Sequence, residues 1–194
     1  MAGPPAFDNP VATVLVFGPL VGSVLLEHRR FRGDTRRRRS DQTYWLLQAW
    51  QLAGLLPGVL LAKWLPSAAL PGPAWLWPIA GCAVGVAGVG LRWWAIRTLG
   101  RYFTRELQVD ADHELVTEGP YRWVRHPSYT GAILAFAGVG IGVGNLISVV
   151  LCTVLPAVGY IQRIPREEAL LHNRLGEPYA EYASRTDRLV PGLW

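Results

Sequence analysis

Two clusters of polar residues could do chemistry in this chain, and both adjoin long apolar runs. The first is His113-Glu114-Leu115-Val116-Thr117-Glu118-Gly119-Pro120-Tyr121-Arg122-Trp123-Val124-Arg125-His126-Pro127-Ser128-Tyr129-Thr130-Gly131. It joins a Gly-Pro turn, a basic pair and a His-Pro step to the start of an uncharged stretch. Pro127 biases His126 away from helical geometry and can itself open the next helix, whose free backbone N–H groups would suit an anion. An interfacial entry motif, with Arg122, Trp123, Arg125 and Tyr129 anchoring a helix among lipid headgroups, accounts for the same residues, so both readings stay open. The second cluster is Arg163-Ile164-Pro165-Arg166-Glu167-Glu168, followed by Leu175-Gly176 and Tyr179. Arg163 and Glu167 are four apart and share a helix face. Pro165 near a helix start, two acids in a first turn and Gly176 as the stop describe a tail helix, but they leave unexplained an arginine where the chain leaves an apolar run.

Other groupings carry less. Asp110, Asp112, His113 and Glu114 are dense in acid and imidazole, yet their spacing matches no metal motif, so no metal is expected. Gly138, Gly140, Gly142 and Gly144 alternate as in a nucleotide-binding loop. Without a strand before them or a βαβ unit around them, close helix packing explains them better. Cys82 and Cys152 lie in apolar runs without a partner at disulfide or zinc spacing. All but Lys63 of the 19 basic residues are arginine, seven of them between Arg29 and Arg39. Placed between two apolar runs, that cluster reads as a cytoplasmic loop near anionic lipid, not as a nucleic-acid site.

The elements that must position these groups follow from charge spacing. No Asp, Glu, Lys or Arg occurs over residues 42–62, 64–91 or 126–162 of the 194, and 51% of the chain is hydrophobic. A spanning helix needs about 20 apolar residues. The expected fold is therefore all-α: a single polytopic membrane domain over 1–194 with about five transmembrane helices. These are placed at 11–26, 44–65, 74–94, 128–141 and 146–161, the last two forming a short hairpin broken at Gly142-Val143-Gly144-Asn145. Residues 1–96 hold the first three helices. Residues 97–194 hold the polar stretch 97–125, the hairpin and a tail helix. With the arginine loop inside, the N-terminus lies outside, and residues 97–125 and the tail both face the cytoplasm, where they can meet.

Together the clusters resemble the isoprenylcysteine carboxyl methyltransferase family: H-x-L-V-T-x-G-x-Y-x-x-x-R-H-P-S-Y-x-G over residues 113–131, Asn145 in the hairpin turn, R-x-x-x-E-E from Arg163, L-G-x-x-Y from Leu175 and a final P-G. The match covers residues 92–194. Residues 1–91 resemble the family only in hydropathy. The resemblance implies an S-adenosylmethionine pocket at the cytoplasmic end of the membrane domain. His113, Glu114, Leu115, Val116, Tyr121, His126, Pro127, Ser128, Tyr129, Glu167 and Glu168 would line the cofactor. Arg163 and Glu167 would be catalytic, and Arg163 with Asn145 would meet the methyl acceptor, a lipophilic or lipid-linked carboxylate. Phospholipid or amine N-methylation, a sterol-type reductase and a non-catalytic membrane protein are the alternatives.

Overall fold

The computed structural model describes residues 9–30, 42–103 and 114–194. The acid and His cluster at Asp110, Asp112 and His113 lies outside the described residues, as do the arginines from Arg32 to Arg39. Among the described residues six α-helices follow in chain order: α1 (Pro10–Arg30), α2 (Gln42–Leu60), α3 (Leu76–Leu99), α4 (Pro127–Val143), α5 (Leu146–Leu175) and α6 (Glu177–Ser184), with short 3-10 turns between. No strand occurs among the described residues. The chain is thus an all-helical, polytopic membrane protein. Gln42–Lys63, Leu76–Tyr102 and Leu146–Leu175 are long and apolar enough to cross a bilayer, and Pro10–Leu25 and Pro127–Val143 are shorter apolar helices. Val14 and Val21 on α1, Leu52 and Leu56 on α2, Val86 on α3 and Val154 on α5 are exposed, as lipid-facing side chains must be.

The short α4 sits in the middle of the bundle, packed against α1, α3 and α5. A 17-residue helix is tolerated there because protein rather than lipid surrounds it: twelve of its residues are buried. The alternating glycines make this packing possible. A Cβ added to Gly138 would stand 2.6 Å from the Gly81 carbonyl oxygen, and one added to Gly140 would stand 2.6 Å from that of Ser148. The helices therefore approach backbone to backbone on two sides, as small residues permit in membranes.

The hairpin forms as expected, with Gly144 in the left-handed conformation closing α4 and Asn145 capping α5 by accepting from Ile147 and Ser148 N–H. Asn145 Nδ2 also donates to the Leu65 carbonyl at 2.9 Å. The turn between α4 and α5 thus touches the segment between α2 and α3, where Leu70 N–H also donates to the Gly144 carbonyl at 2.9 Å. At the other face the C-terminal segment pairs with the segment before α4: Arg125 N–H donates to the Asp187 carbonyl at 2.8 Å and His126 N–H to that of Arg188 at 2.9 Å.

One expectation is corrected. The last span and the tail helix are a single 30-residue helix, α5, running through Pro156 and Pro165. Pro165 does not open a separate helix. It removes one backbone bond on a turn where Ile161 and Gln162 are exposed, and the helix continues to Gly176. That continuity fixes Arg163 and Glu167 on one rigid face.

Candidate active site

The local backbone of the first cluster is set by proline and glycine. Gly119, at φ +57°, starts the 3-10 turn Gly119–Arg122, and His126 takes a non-helical conformation before Pro127 opens α4. Four of the elbow's amides are already engaged. Those of Arg125 and His126 are held by the C-terminal segment, and those of Tyr129 and Thr130 donate to the His126 carbonyl. The basic pair is also committed. Arg122 stacks over Trp123, and the Arg125 guanidinium donates to Glu168 Oε1 at 2.8 Å and to the carbonyls of Ala183 and Thr186. These contacts lock the tail onto the elbow.

Inside that lock the two clusters converge. Arg163, only 4% exposed, donates from Nε to the Tyr129 hydroxyl at 3.0 Å, and that hydroxyl donates to Glu167 Oε2. His126 lies parallel to Tyr129 with ring centroids 5.3 Å apart, and Tyr129 packs on Tyr160 at 4.5 Å. His126 Nδ1 is 3.9 Å from Glu167 Oε1. The outcome is a cation and an anion, one helical turn apart, joined through a single phenol.

These residues border a cavity of about 320 Å³. On its elbow and tail side the wall is Leu115, Val116, Tyr121, His126, Glu167, Leu170, Leu171, Tyr179 and Tyr182. Burial pushes the Tyr121 and Tyr179 phenols well above their ordinary range and Tyr182 up to about 12, so all three stay neutral. The Tyr182 hydroxyl donates to the Tyr121 carbonyl at 2.7 Å. Among the described residues Tyr179 Oη is buried without a hydrogen-bond partner and its residue borders the cavity, whereas His126 Nε2 faces Glu168 Oε1 at 3.4 Å. An unmatched buried polar atom is costly, and a polar ligand in the cavity could satisfy it. On its opposite side the wall comes from α1, α2 and α4, including Leu20, Val24, Leu47, Ala132, Ala135 and Phe136.

Of the residues singled out in the sequence, Leu115, Val116, Tyr121, His126, Ser128, Tyr129, Arg163 and Glu167 border this cavity. Four others do not, each for a physical reason. Asn145 is spent on capping α5 and bonding Leu65, and it lies 18 residues, or about 27 Å of helix, from Arg163. Glu168 turns away to Arg125 and to Arg188, 3.0 Å from its second oxygen. Pro127 is fully buried at the start of α4, and Glu114 is exposed. His113 lies outside the described residues.

The sequence reading missed Arg92 and Glu27. Arg92, on α3, donates from Nε to Glu27 Oε1 on α1 at 2.5 Å and from Nη1 to the Ser128 carbonyl at 2.9 Å, and all three residues border the cavity. The signal was available: Arg92 is the charge that ends the uncharged run from Trp64, inside a span, and intramembrane charges mark functional sites and their partners. Gln51, which donates to the Tyr160 hydroxyl at 2.9 Å, was missed with the rest of α2. No cluster of metal-ligating side chains occurs among the described residues.

Residues 81–173 match the model of the isoprenylcysteine carboxyl methyltransferase (ICMT) family. The chain is 38% identical over 113 residues to protein-S-isoprenylcysteine O-methyltransferase B of Arabidopsis thaliana, covering 57% of this chain and 57% of that one. It is 32% identical over 117 residues to the uncharacterized protein YpbQ of Bacillus subtilis, covering 60% of this chain and 65% of the other. Its fold is similar to that of a eukaryotic intramembrane Ras methyltransferase, with a TM-score of 0.62 and 24% identity over 94% of this chain and 68% of the other. The chain spans 57% of the plant relative's length.

Proposed function

We propose, from the premise that residues 81–173 belong to the isoprenylcysteine carboxyl methyltransferase family, that this chain methylates a carboxylate on a lipophilic or amphipathic acceptor, with S-adenosylmethionine as donor. The observation that carries the proposal is the convergence of Arg163, Tyr129 and Glu167 on one cavity that is polar and aromatic at the elbow and apolar among α1, α2 and α4.

The elbow side of the cavity has the chemistry such a donor requires. Glu167 offers a carboxylate to a cationic amino group, Tyr179 offers an unmatched hydroxyl, and Leu115, Val116, Leu170 and Leu171 offer an apolar bed for a purine. When bound, S-adenosylmethionine supplies an electrophilic methyl group on a sulfonium. The acceptor carboxylate is already ionised near neutral pH, so no residue has to remove a proton. Arg163 orients that carboxylate with its planar, permanently charged guanidinium, whose Nε is fixed by Tyr129. Burial of the site excludes water, and the rigid face of α5 holds the acceptor-side and donor-side groups one turn apart, so the protein's contribution is alignment and electrostatics. His113, as the first residue of the family motif, belongs to the same donor-binding wall in this reading. The arginine-rich stretch between α1 and α2 puts the elbow, the tail and this site on the cytoplasmic face, with the N-terminus outside.

Isothermal calorimetry of S-adenosylhomocysteine on purified protein in detergent tests the reading. Binding at one site per chain is expected, weakened at least about tenfold by Glu167→Gln and little changed by Arg163→Lys, which should instead cut turnover by about a hundredfold or more. Absence of binding to folded protein would contradict it. Turnover of an ethanolamine lipid with none of any carboxylate would transfer the assignment to N-methylation.

A further inference from the structure

Part of the cavity wall contributed by α1 and α2 is polar, and its polar groups are of two kinds. Gln51 donates to the Tyr160 hydroxyl at 2.9 Å and Glu27 accepts from Arg92, so these side chains are matched within the protein. Ser23 on α1 and Gln48 on α2 also border the cavity, yet neither side chain bonds to another described residue. Ser23 is only 8% exposed, which withdraws its hydroxyl from bulk solvent. Inside an apolar helix an unmatched serine or glutamine is unfavourable, and it marks a place where a ligand brings the missing bond. Both residues lie outside the stretch 81–173, so the family match does not account for them.

Their positions tell which part of an acceptor they meet. Thr43 on α2 lies 3.5 Å from Arg163 Nη1, and Gln48 follows it by five residues, or about 7.5 Å of helix. Glu27 on α1 is tied through Arg92 to the Ser128 carbonyl, beside Tyr129, and Ser23 precedes Glu27 by four residues, or about 6 Å. On both helices the unmatched group therefore stands roughly one turn from the level of Arg163 and Tyr129. That turn leads away from the elbow, because Val16 on α1 packs with Val143 and the Gly58 carbonyl on α2 accepts from Ser148, both at the hairpin end. Leu20 and Phe136 continue the wall as apolar surface. Along the cavity the order is thus a cation, a pair of hydrogen-bonding groups, then hydrocarbon.

Resting on the methyltransferase reading, we propose that Ser23 and Gln48 form a second acceptor subsite that binds an amide on the carbon next to the reacting carboxylate, so that the acceptor is an α-amido acid with a long apolar chain. A hydroxyl and a primary amide each donate and accept, and an amide linkage answers both at once, its carbonyl to one and its N–H to the other. A carboxylate with only methylenes in that place would leave both side chains unmatched. Neither residue meets the reacting oxygen or the donor, so their effect falls on the choice between acceptors.

The test compares N-acetyl-S-farnesylcysteine with S-farnesylthiopropionate, which keeps the carboxylate, the thioether and the chain but lacks the amide. Both are offered with S-adenosylmethionine to the whole chain in detergent. The expected result is a kcat/KM at least about tenfold higher for the amide-bearing acceptor. Gln48→Leu should narrow that ratio to about threefold or less, and Ser23→Ala, which removes the opposite group, gives the same readout if the first variant does not fold. Retained binding of S-adenosylhomocysteine identifies folded variants. Equal turnover of the two acceptors by the wild type, or an unchanged ratio in a folded variant, would overturn the proposal. So would S-adenosylhomocysteine binding with transfer to neither acceptor, which leaves the donor site standing. Absence of S-adenosylhomocysteine binding to folded wild-type protein would instead take the methyltransferase reading with it.

Discussion

Tyr129 is the residue on which the proposed chemistry turns. Its hydroxyl accepts from Arg163 and donates to Glu167, so one oxygen fixes the acceptor-side cation and the donor-side anion together. Phe at this position keeps the ring that lies between His126 and Tyr160 but deletes both bonds. Tyr129→Phe should therefore leave the fold intact, cost about 1–3 kcal/mol in thermal or denaturant unfolding, and lower kcat/KM by about ten- to a hundredfold. Unchanged kinetics would show that Arg163 and Glu167 are positioned without it. The Glu27–Arg92 pair makes a second prediction at this scale. Both side chains are mostly buried, Glu27 at 19% and Arg92 at 14% exposure, and removing one partner strands the other. Glu27→Ala should destabilise by about 3 kcal/mol, and Glu27→Ala combined with Arg92→Met should recover part of that loss, a pattern readable by thermal unfolding in detergent. A double variant weaker than either single one would contradict the pairing.

At the scale of elements, α3 and α4 are held together by backbone contact between their glycine rows. Gly138→Val would drive a side chain into the Gly81 carbonyl and the Gly85 backbone, none of which can yield without separating the helices. It should abolish recovery of folded protein by size-exclusion chromatography. Gly90→Ala, with no atom within 4 Å of the added Cβ, should be tolerated. Equal yields for the two would refute the packing account. The same elements show what was readable beforehand. Uncharged runs marked every apolar helix, because a lipid environment leaves no freedom in composition, and Gly144-Asn145 marked the hairpin turn by its left-handed glycine and side-chain cap. The continuity of α5 was not readable, since Pro165 is compatible with both a helix start and a helix interior. Only the packing of the whole tail decides between them.

For the whole molecule, the two motif clusters meet because residues 184–194 fold back onto the elbow, an arrangement that needs Arg125, Glu168 and Arg188 together. The sequence placed both clusters on one side of the membrane from charge alone. It did not separate residues that face the cavity from those that build its frame: Glu167 borders the space and its neighbour Glu168 does not, although both stand in the same motif. Nor did it reveal that α1 and α2, outside the matched stretch 81–173, supply half of the apolar wall through Leu20, Val24 and Leu47. In the proposed reading, the N-terminal helices meet the acceptor, and the elbow and α5 meet the donor.

The most direct test is methyl-labelled S-adenosylmethionine incubated with the purified protein in nanodiscs and an N-acetyl-S-prenylcysteine acceptor, followed by alkali. The account predicts label transferred to the acceptor and released by alkali as volatile methanol, with the signal lost in Arg163→Ala. Label that resists alkali, or no transfer by protein that binds S-adenosylhomocysteine, would contradict carboxylate methylation of this acceptor.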